Sequence, residues 1–251
     1  VFVMTPTGLH ADFAVAALNA GKHVISTKPM EANLAACDRM IAAADKAGKL
    51  LAVDFALRLE PTSQRIKQRI ARGEIGKPVG GSMSVRILRT MEYYRANGGW
   101  RGTRRMDGGG VMSNQTIHHI DQLVYFLGMP KRVSMRTWTQ THEIEAEDLG
   151  CGAWEFGDGS VVQLFATTSY PVDTWYMGLE LYGTAGAVSH KFGGPYSVPI
   201  EQWHVNGAWE EVLPEPDMPP WTNMAQNLAA AIRTGTDLVC DGRDGRRSRL
   251  V

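Results

Sequence analysis

The sequence predicts a mixed α/β plus α+β protein: a partial Rossmann-type, doubly wound parallel sheet over residues 1–55, then an open-faced, largely antiparallel sheet domain over residues 56–251. Three observations carry this expectation. At the front, short apolar runs alternate with helical patterns in the order strand–helix–strand–helix–strand, which is how a parallel sheet with crossover helices reads. After residue 55 the hydrophobic period switches from helical to alternating, and strand-like stretches follow one another between turn residues. The composition, 44% hydrophobic and 21% charged, is that of an ordinary globular chain of 251 residues, long enough for one large or two modest domains.

Taken in order, Val1 to Met4 is a continuous apolar run, as in a strand covered on both faces. Thr5-Pro6-Thr7-Gly8 breaks it. A helix is expected from His10 to Ala20, with Phe13, Ala14, Ala17 and Leu18 on one side and Gly21 as its stop. His23-Val24-Ile25 is the next strand. Asn33 caps a second helix that runs to Ala47, with Leu34, Cys37, Met40 and Ile41 at helical spacing, and Gly48 ends it before a strand at Leu50–Val53. Beyond this lie a helix at 61–72, a turn at Ile75-Gly76-Lys77-Pro78, alternation from Val79 to Arg89 and a helix at 111–127. Strands are expected at 131–139, 149–156, 160–168, 176–183, 186–191, 199–205 and 208–213, separated by turns such as Gly157-Asp158-Gly159 and Asn206-Gly207. A final helix, from Thr222 to Arg233, returns towards the first domain.

Lys+Arg and Asp+Glu are equal at 26, so the net charge is zero and neither nucleic acid nor an anionic membrane is an expected partner. No apolar run approaches the ~18 residues of a spanning helix. The basic run Arg243, Arg246, Arg247, Arg249 reads as a solvated helix start. Cys37, Cys151 and Cys240 show no C-x-x-C spacing, so no zinc site or disulfide framework is expected, and their odd count points to a reducing, cytoplasmic setting. The chain opens on Val1, inside a strand, and is expected to belong to a longer protein whose own start leaves an export signal open.

Chemistry can gather at three places. Thr5-Pro6-Thr7-Gly8-Leu9-His10 follows a parallel strand and opens a helix, where ligands bind in open α/β sheets and free N–H groups attract phosphate or ribose oxygens; an ordinary turn fits equally. Thr27-Lys28-Pro29 ends the next strand at the same edge, where a lysine points either into the cleft or to solvent. Gly108 to Asp121 carries three glycines that allow close backbone approach, then a helix burying Ile117, Ile120, Val124 and Leu127. Beside that seam Asn114, His118 and Asp121 form a polar stripe at i, i+4 and i+7. Each alone is as well explained by a structural role; together they favour a site. Adjacent His118 and His119 point about 100° apart on a helix, so no metal is expected. Tyr93, Tyr94, Trp100 and Trp175 suit either a pocket wall or packing.

In order and spacing these residues resemble the glucose–fructose oxidoreductase, inositol dehydrogenase and rhizopine-catabolism (Gfo/Idh/MocA) family. The resemblance runs over nearly the whole chain: Ala17-Leu18-Asn19-Ala20-Gly21-Lys22-His23-Val24, Thr27-Lys28-Pro29 where the family has Glu-Lys-Pro, Arg58-x-x-Pro61, Gly73-x-Ile75-Gly76, Trp100-Arg101, the Gly108–Gly110 run with His118 and Asp121, Glu147-Asp148, and Gly183-Thr184-Ala185-Gly186.

The resemblance implies an oxidoreductase that moves hydride between NAD or NADP and a CH–OH group of a sugar, cyclitol or sugar nucleotide. It implies Lys28 and His118 as catalytic residues, with Asn114 beside them. It places Thr5, Pro6, Thr7, His10, Thr27, Lys28, Pro29, Arg58, Trp100 and Arg101 on the cofactor side, and a homodimer or homotetramer through the open sheet face. A non-catalytic sugar- or dinucleotide-binding regulator and a redox-assisted glycoside-cleaving relative stay open. Thr27 removes a carboxylate, Asn114 stands where Asp is frequent, and no Gly-x-Gly-x-x-Gly occurs. That fingerprint is expected about 60 residues upstream of this chain, and the family continues with a further helix past Arg246.

Overall fold

The computed structural model describes residues 1–172, 175–192, 200–205, 207–211 and 222–251. The short apolar runs at the front form a three-stranded parallel sheet from β1 (Phe2–Val3), β2 (Val24–Thr27) and β3 (Leu51–Asp54), in that order. They are linked by α1 (His10–Asn19) and α2 (Leu34–Ala47), which pack on each other. Asn33 caps α2 by accepting from the Ala36 N–H at 2.9 Å, and Gly48 closes it in the left-handed region at φ 59°.

Two helices follow, α3 (Pro61–Ala71) and the short α4 (Met91–Arg95), on either side of β4 (Pro78–Arg86). Next come α5 (Ile117–Leu127), β5 (Arg132–Trp138), β6 (Leu149–Glu155), β7 (Val161–Thr167), β8 (Tyr176–Gly183), β9 (Ala187–Phe192), β10 (Ile200–Val205) and β11 (Ala208–Glu211). They build an eight-stranded sheet in the order β11-β10-β9-β8-β4-β7-β6-β5, antiparallel throughout except for β4 beside β7. The strand ends expected at 199 and 212–213, and Asn206 of the expected turn, lie outside the described residues. The chain then returns: α6 (Met224–Thr234) packs against β2 and β3, and α7 (Gly242–Leu250) against α2, α5 and β3. One continuous hydrophobic core joins both sheets, from Val3 and Leu18 through Ile117 and Leu164 to Trp203.

Three sequence expectations are corrected. The helix at 111–127 is split: residues Val111–Gln115 make one wide π turn and the α-helix starts at Ile117. The cause is the glycine run. A side chain at Gly110 would collide with the Glu147 backbone, and the Glu147 carboxylate accepts from the Gly110 and Met112 N–H groups, both at 3.0 Å.

Second, Arg58 and Asp121, read separately in the sequence, are each other's partners. Arg58 donates to both Asp121 oxygens, at 2.7 and 2.8 Å, and to Asp244 at 3.1 Å, so a buried bidentate ion pair ties the turn after β3 to α5 and α7. Removing one partner of such a pair leaves the other charge buried, which costs about 3–5 kcal/mol. Asp121→Ala is therefore expected to lower the unfolding free energy by that order in a denaturant titration; a loss below about 1 kcal/mol would contradict the clamp.

Third, the C-terminal basic run is not simply solvated. Arg249 turns inward and donates to Glu31 O (3.1 Å), Ala32 O (2.6 Å), Gly108 O (2.6 Å) and Ser113 Oγ (3.1 Å).

Candidate active site

The C-terminal ends of the three parallel strands meet at one edge. Thr5 lies just past β1, Lys28 just past β2 and Phe55 just past β3. His10, expected to face a cofactor, is buried instead and laces this edge together. Its Nε2 lies 2.9 Å from Thr5 O, and its Nδ1 lies 3.0 and 3.2 Å from the carbonyls of Pro29 and Met30. Glu31 completes the fastening by accepting from Ala11 N–H at 2.8 Å and Ala32 N–H at 2.6 Å. With Arg249 gripping the same loop, Lys28 is presented from a rigid support. The Lys28–Pro29 bond is cis.

Across the cleft, the π turn brings Asn114 towards the lysine. Lys28 Nζ donates to the Asn114 backbone oxygen at 2.9 Å and to its Oδ1 at 3.4 Å. The Asn114 amide nitrogen donates to Asp107, whose other carboxylate oxygen accepts from Gly102 N–H at 2.8 Å. The missing acid at position 114 is thus supplied one residue further out, by Asp107. Gln115 donates to Asn114 Oδ1 (3.3 Å) and to Tyr93 OH (2.9 Å).

His118 stands one turn on, its ring edge-on to Phe55 at 6.0 Å between centroids, and its Nδ1 is buried with no hydrogen-bond partner among the described residues. Lys28, His118, Glu60, Arg89 and Trp175 all line one cavity of about 270 Å³. His119 also lines this cavity, but its Nδ1 lies 3.1 Å from Gln122 Oε1.

Burial sets the electrostatics. It lowers the Lys28 pKa to about 8, against an opposing pull from Asp107 and with help from Arg89. It also lowers His118 well below the ordinary histidine value, aided by the Lys28 charge. Burial pushes Glu60 up to about 7, and one Glu60 oxygen, Oε2, has no hydrogen-bond partner. A cleft wall therefore carries a lysine that titrates close to neutrality beside a histidine held neutral.

Of the expected residues, the fold brings Lys28, Asn114 and His118 together. Thr5, Pro6, Thr7, Thr27 and Pro29 lie at the strand edge beside them, with Thr7 buried and Thr5 Oγ1 buried without a partner. Trp100 and Arg101 are not among the residues that line this cavity: the Arg101 guanidinium stacks over Trp100 (5.0 Å) and over Tyr93 (4.7 Å), whose hydroxyl accepts from Gln115. Sequence reading missed Asp107, Arg89, Gln115 and Glu60. Asp107, directly before the glycine run, was the one with a local signal. Among the described residues no group of His, Cys, Asp and Glu is arranged to hold a metal, and no helix is long and apolar enough to cross a membrane.

The edge of a parallel sheet carrying a lysine, facing a histidine at the start of α5, points to a class: two-domain oxidoreductases that use a dinucleotide. Comparison with known proteins narrows it. The description "Oxidoreductase family, NAD-binding Rossmann fold" matches residues 1–55, and "GFO/IDH/MocA C-terminal domain" matches residues 63–189. The chain belongs to the Gfo/Idh/MocA oxidoreductase family.

It is 30% identical to the 1,5-anhydro-D-fructose reductase of Ensifer adhaerens over 75% of this chain and 55% of that protein. It is 32% identical to the NADP(+) scyllo-inositol 2-dehydrogenase of Bacillus subtilis over 59% of this chain and 40% of that protein. Among solved structures, the WlbA dehydrogenase of Bordetella pertussis, in complex with NADH and UDP-GlcNAcA, superposes with a TM-score of 0.85 at 30% identity, covering 98% of this chain and 72% of that one. The aldose-aldose oxidoreductase of Caulobacter crescentus superposes at 0.88 with 25% identity, covering all of this chain and 73% of that one. The chain thus spans about half the length of the curated relatives it matches.

Proposed function

We propose that the whole protein is an NAD(P)-dependent dehydrogenase acting on a CH–OH group of a sugar, cyclitol or sugar nucleotide. The observation that carries this is the convergence of Lys28 and His118 on one cavity at the edge of the parallel sheet, with Asn114 hydrogen-bonded to the lysine from behind. The orphaned Thr5 Oγ1 fits a nucleotide there: a buried hydroxyl without a partner is a costly thing to keep unless a ligand satisfies it. Thr5, Pro6 and Lys28 would hold the cofactor, which when bound supplies the hydride acceptor. The pyrophosphate fingerprint is not among this chain's residues.

The chain's own groups then divide the work. Lys28, charged below about pH 8, donates to the substrate oxygen and stabilises negative charge as it develops there. His118 takes the hydroxyl proton, because it lines the cavity and stays neutral through the physiological range. Asn114 holds Lys28 without adding charge, and Asp107 supports both.

The sign of each shift gives the pH dependence. Activity should persist on the acid side to well below pH 6.5, since the histidine protonates only there, and should fall on the alkaline side as Lys28 deprotonates near 8. Asp107→Asn removes the charge that holds the lysine protonated, so the alkaline limb should move to lower pH. A kcat/KM–pH profile with NAD and NADP across a polyol panel tests this; an acid limb at or above 6.5, or an alkaline limb that does not move in the variant, contradicts it.

The assembly reading is a homodimer or homotetramer through the outer face of the open sheet, in the cytoplasm. Pairing aligns Val161, Tyr182 and Trp209 in one cross-strand row through Gly80, Ala187 and His204. Those three side chains are 43, 44 and 49% exposed, an apolar stripe that a second copy would cover.

A further inference from the structure

We infer that the substrate carries a carboxylate and that Arg89 is the residue that reads it. The inference rests on the dehydrogenase reading of this cleft and names the substrate class within it. Arg89 follows β4 and is pinned on its backbone: its N–H donates to Thr168 O at 2.9 Å, and its carbonyl lies 2.7 Å from His142 Nε2. Its guanidinium is held flat, 4.6 Å from the Tyr93 ring centre and 4.8 Å from that of Trp175. Nε and Nη2 rest on Gln115 Oε1 at 3.2 and 2.9 Å. The group is therefore preorganised by two rings and one amide, and it lines the cavity that Lys28 and His118 share.

What Arg89 lacks is an acid. Among the described residues this half-buried arginine makes no salt bridge, whereas the buried arginines outside the cavity, Arg58 and Arg65, each hold a carboxylate. Its charge works against the lysine, because it helps lower the Lys28 pKa. Two cations on one wall of a half-enclosed cavity repel each other, and an anion between or beside them relieves that repulsion. Glu60 is the cavity's carboxyl group, and burial holds it partly protonated near neutral pH. A planar guanidinium fixed in orientation is matched to a planar carboxylate, which it meets through paired N–H···O bonds. A uronate or an aldonate brings that group together with the CH–OH that the cleft oxidises.

The test is titration calorimetry of the whole protein with matched pairs: D-glucuronate against D-glucose, D-gluconate against D-sorbitol, and D-glucose 6-phosphate as a second anion. The acid of at least one pair should bind about 10- to 100-fold more tightly than its neutral partner, the range for a hydrogen bond to a charged group. Arg89→Gln should erase that preference while leaving the neutral partner's affinity unchanged, and Arg89→Lys should restore part of it. Equal affinities within every pair, or a preference for the phosphate over the carboxylates, overturn the inference. So does an equal loss for acid and neutral partners in both variants, which marks Arg89 as structural. Calorimetry needs no turnover. A protein that prefers acids through Arg89 but oxidises none of them refutes the dehydrogenase reading alone, and an active enzyme blind to the acid group refutes the subsite alone.

Discussion

His118→Ala should lower kcat by about 10²- to 10⁴-fold, the usual worth of a positioned general base, with substrate affinity and melting temperature close to those of the parent. The expectation follows from three features of one ring. Its Nδ1 is buried and makes no hydrogen bond, so the fold gains nothing from that atom. Its contact with Phe55 is edge-on at 6.0 Å, a packing interaction of modest size. Burial and the neighbouring Lys28 charge keep it unprotonated, which is the state a base requires. His119 cannot substitute, because its Nδ1 meets Gln122 and its Nε2 lies 3.4 Å from Met177 Sδ. The loss should be uniform between pH 6 and 8, since the parent histidine is neutral throughout. A kcat unchanged across pH would end the assignment, and a large drop in melting temperature with kcat intact would make His118 a core residue.

Lys28→Met should inactivate the enzyme and stabilise the fold. A lysine whose pKa falls from 10.5 to about 8 on folding gives up protons as the chain folds. Below pH 8 the folded state carries a charge that its surroundings disfavour, and this penalty fades as pH rises from 8 to 10.5. Methionine has a similar reach and no charge. Allowing for the solvent that still reaches this cleft residue, the gain is on the order of 2 kcal/mol at neutral pH, offset in part by the donor lost to Asn114. The two proteins should converge in stability above about pH 10. Denaturant titrations at neutral and alkaline pH measure this. A variant less stable than the parent at neutral pH would mean that the bonds to Asn114 outweigh the buried charge. Such a trade is expected of a group kept for chemistry rather than for packing.

What the sequence determined by itself was local. Asn33 and Gly48 bound α2 because a side-chain cap and a left-handed residue act within a few positions, and period-two alternation marked the strands of the open sheet. The strand-end positions of Thr5 and Lys28 followed from alternation at the front, and His118 followed from a polar group beside an apolar seam. Tertiary structure decided the rest. The register of 111–121 was read as one regular helix, but Glu147, distant in sequence, takes the first N–H groups and opens a π turn that aims Asn114 at Lys28. Arg58 and Asp121 looked like site residues and are a buried ion pair, because only the packing of the turn after β3 on α5 shows that each is the other's partner. Arg249 looked solvated and grips the lysine loop. Asp107 and Arg89 gain their meaning from neighbours that the fold supplies: for Asp107 the Asn114 amide, for Arg89 two rings and, among the described residues, no acid partner. Periodicity records which face a residue takes, whereas charge pairing and cavity walls depend on contacts between segments far apart in the chain, and only packing creates those.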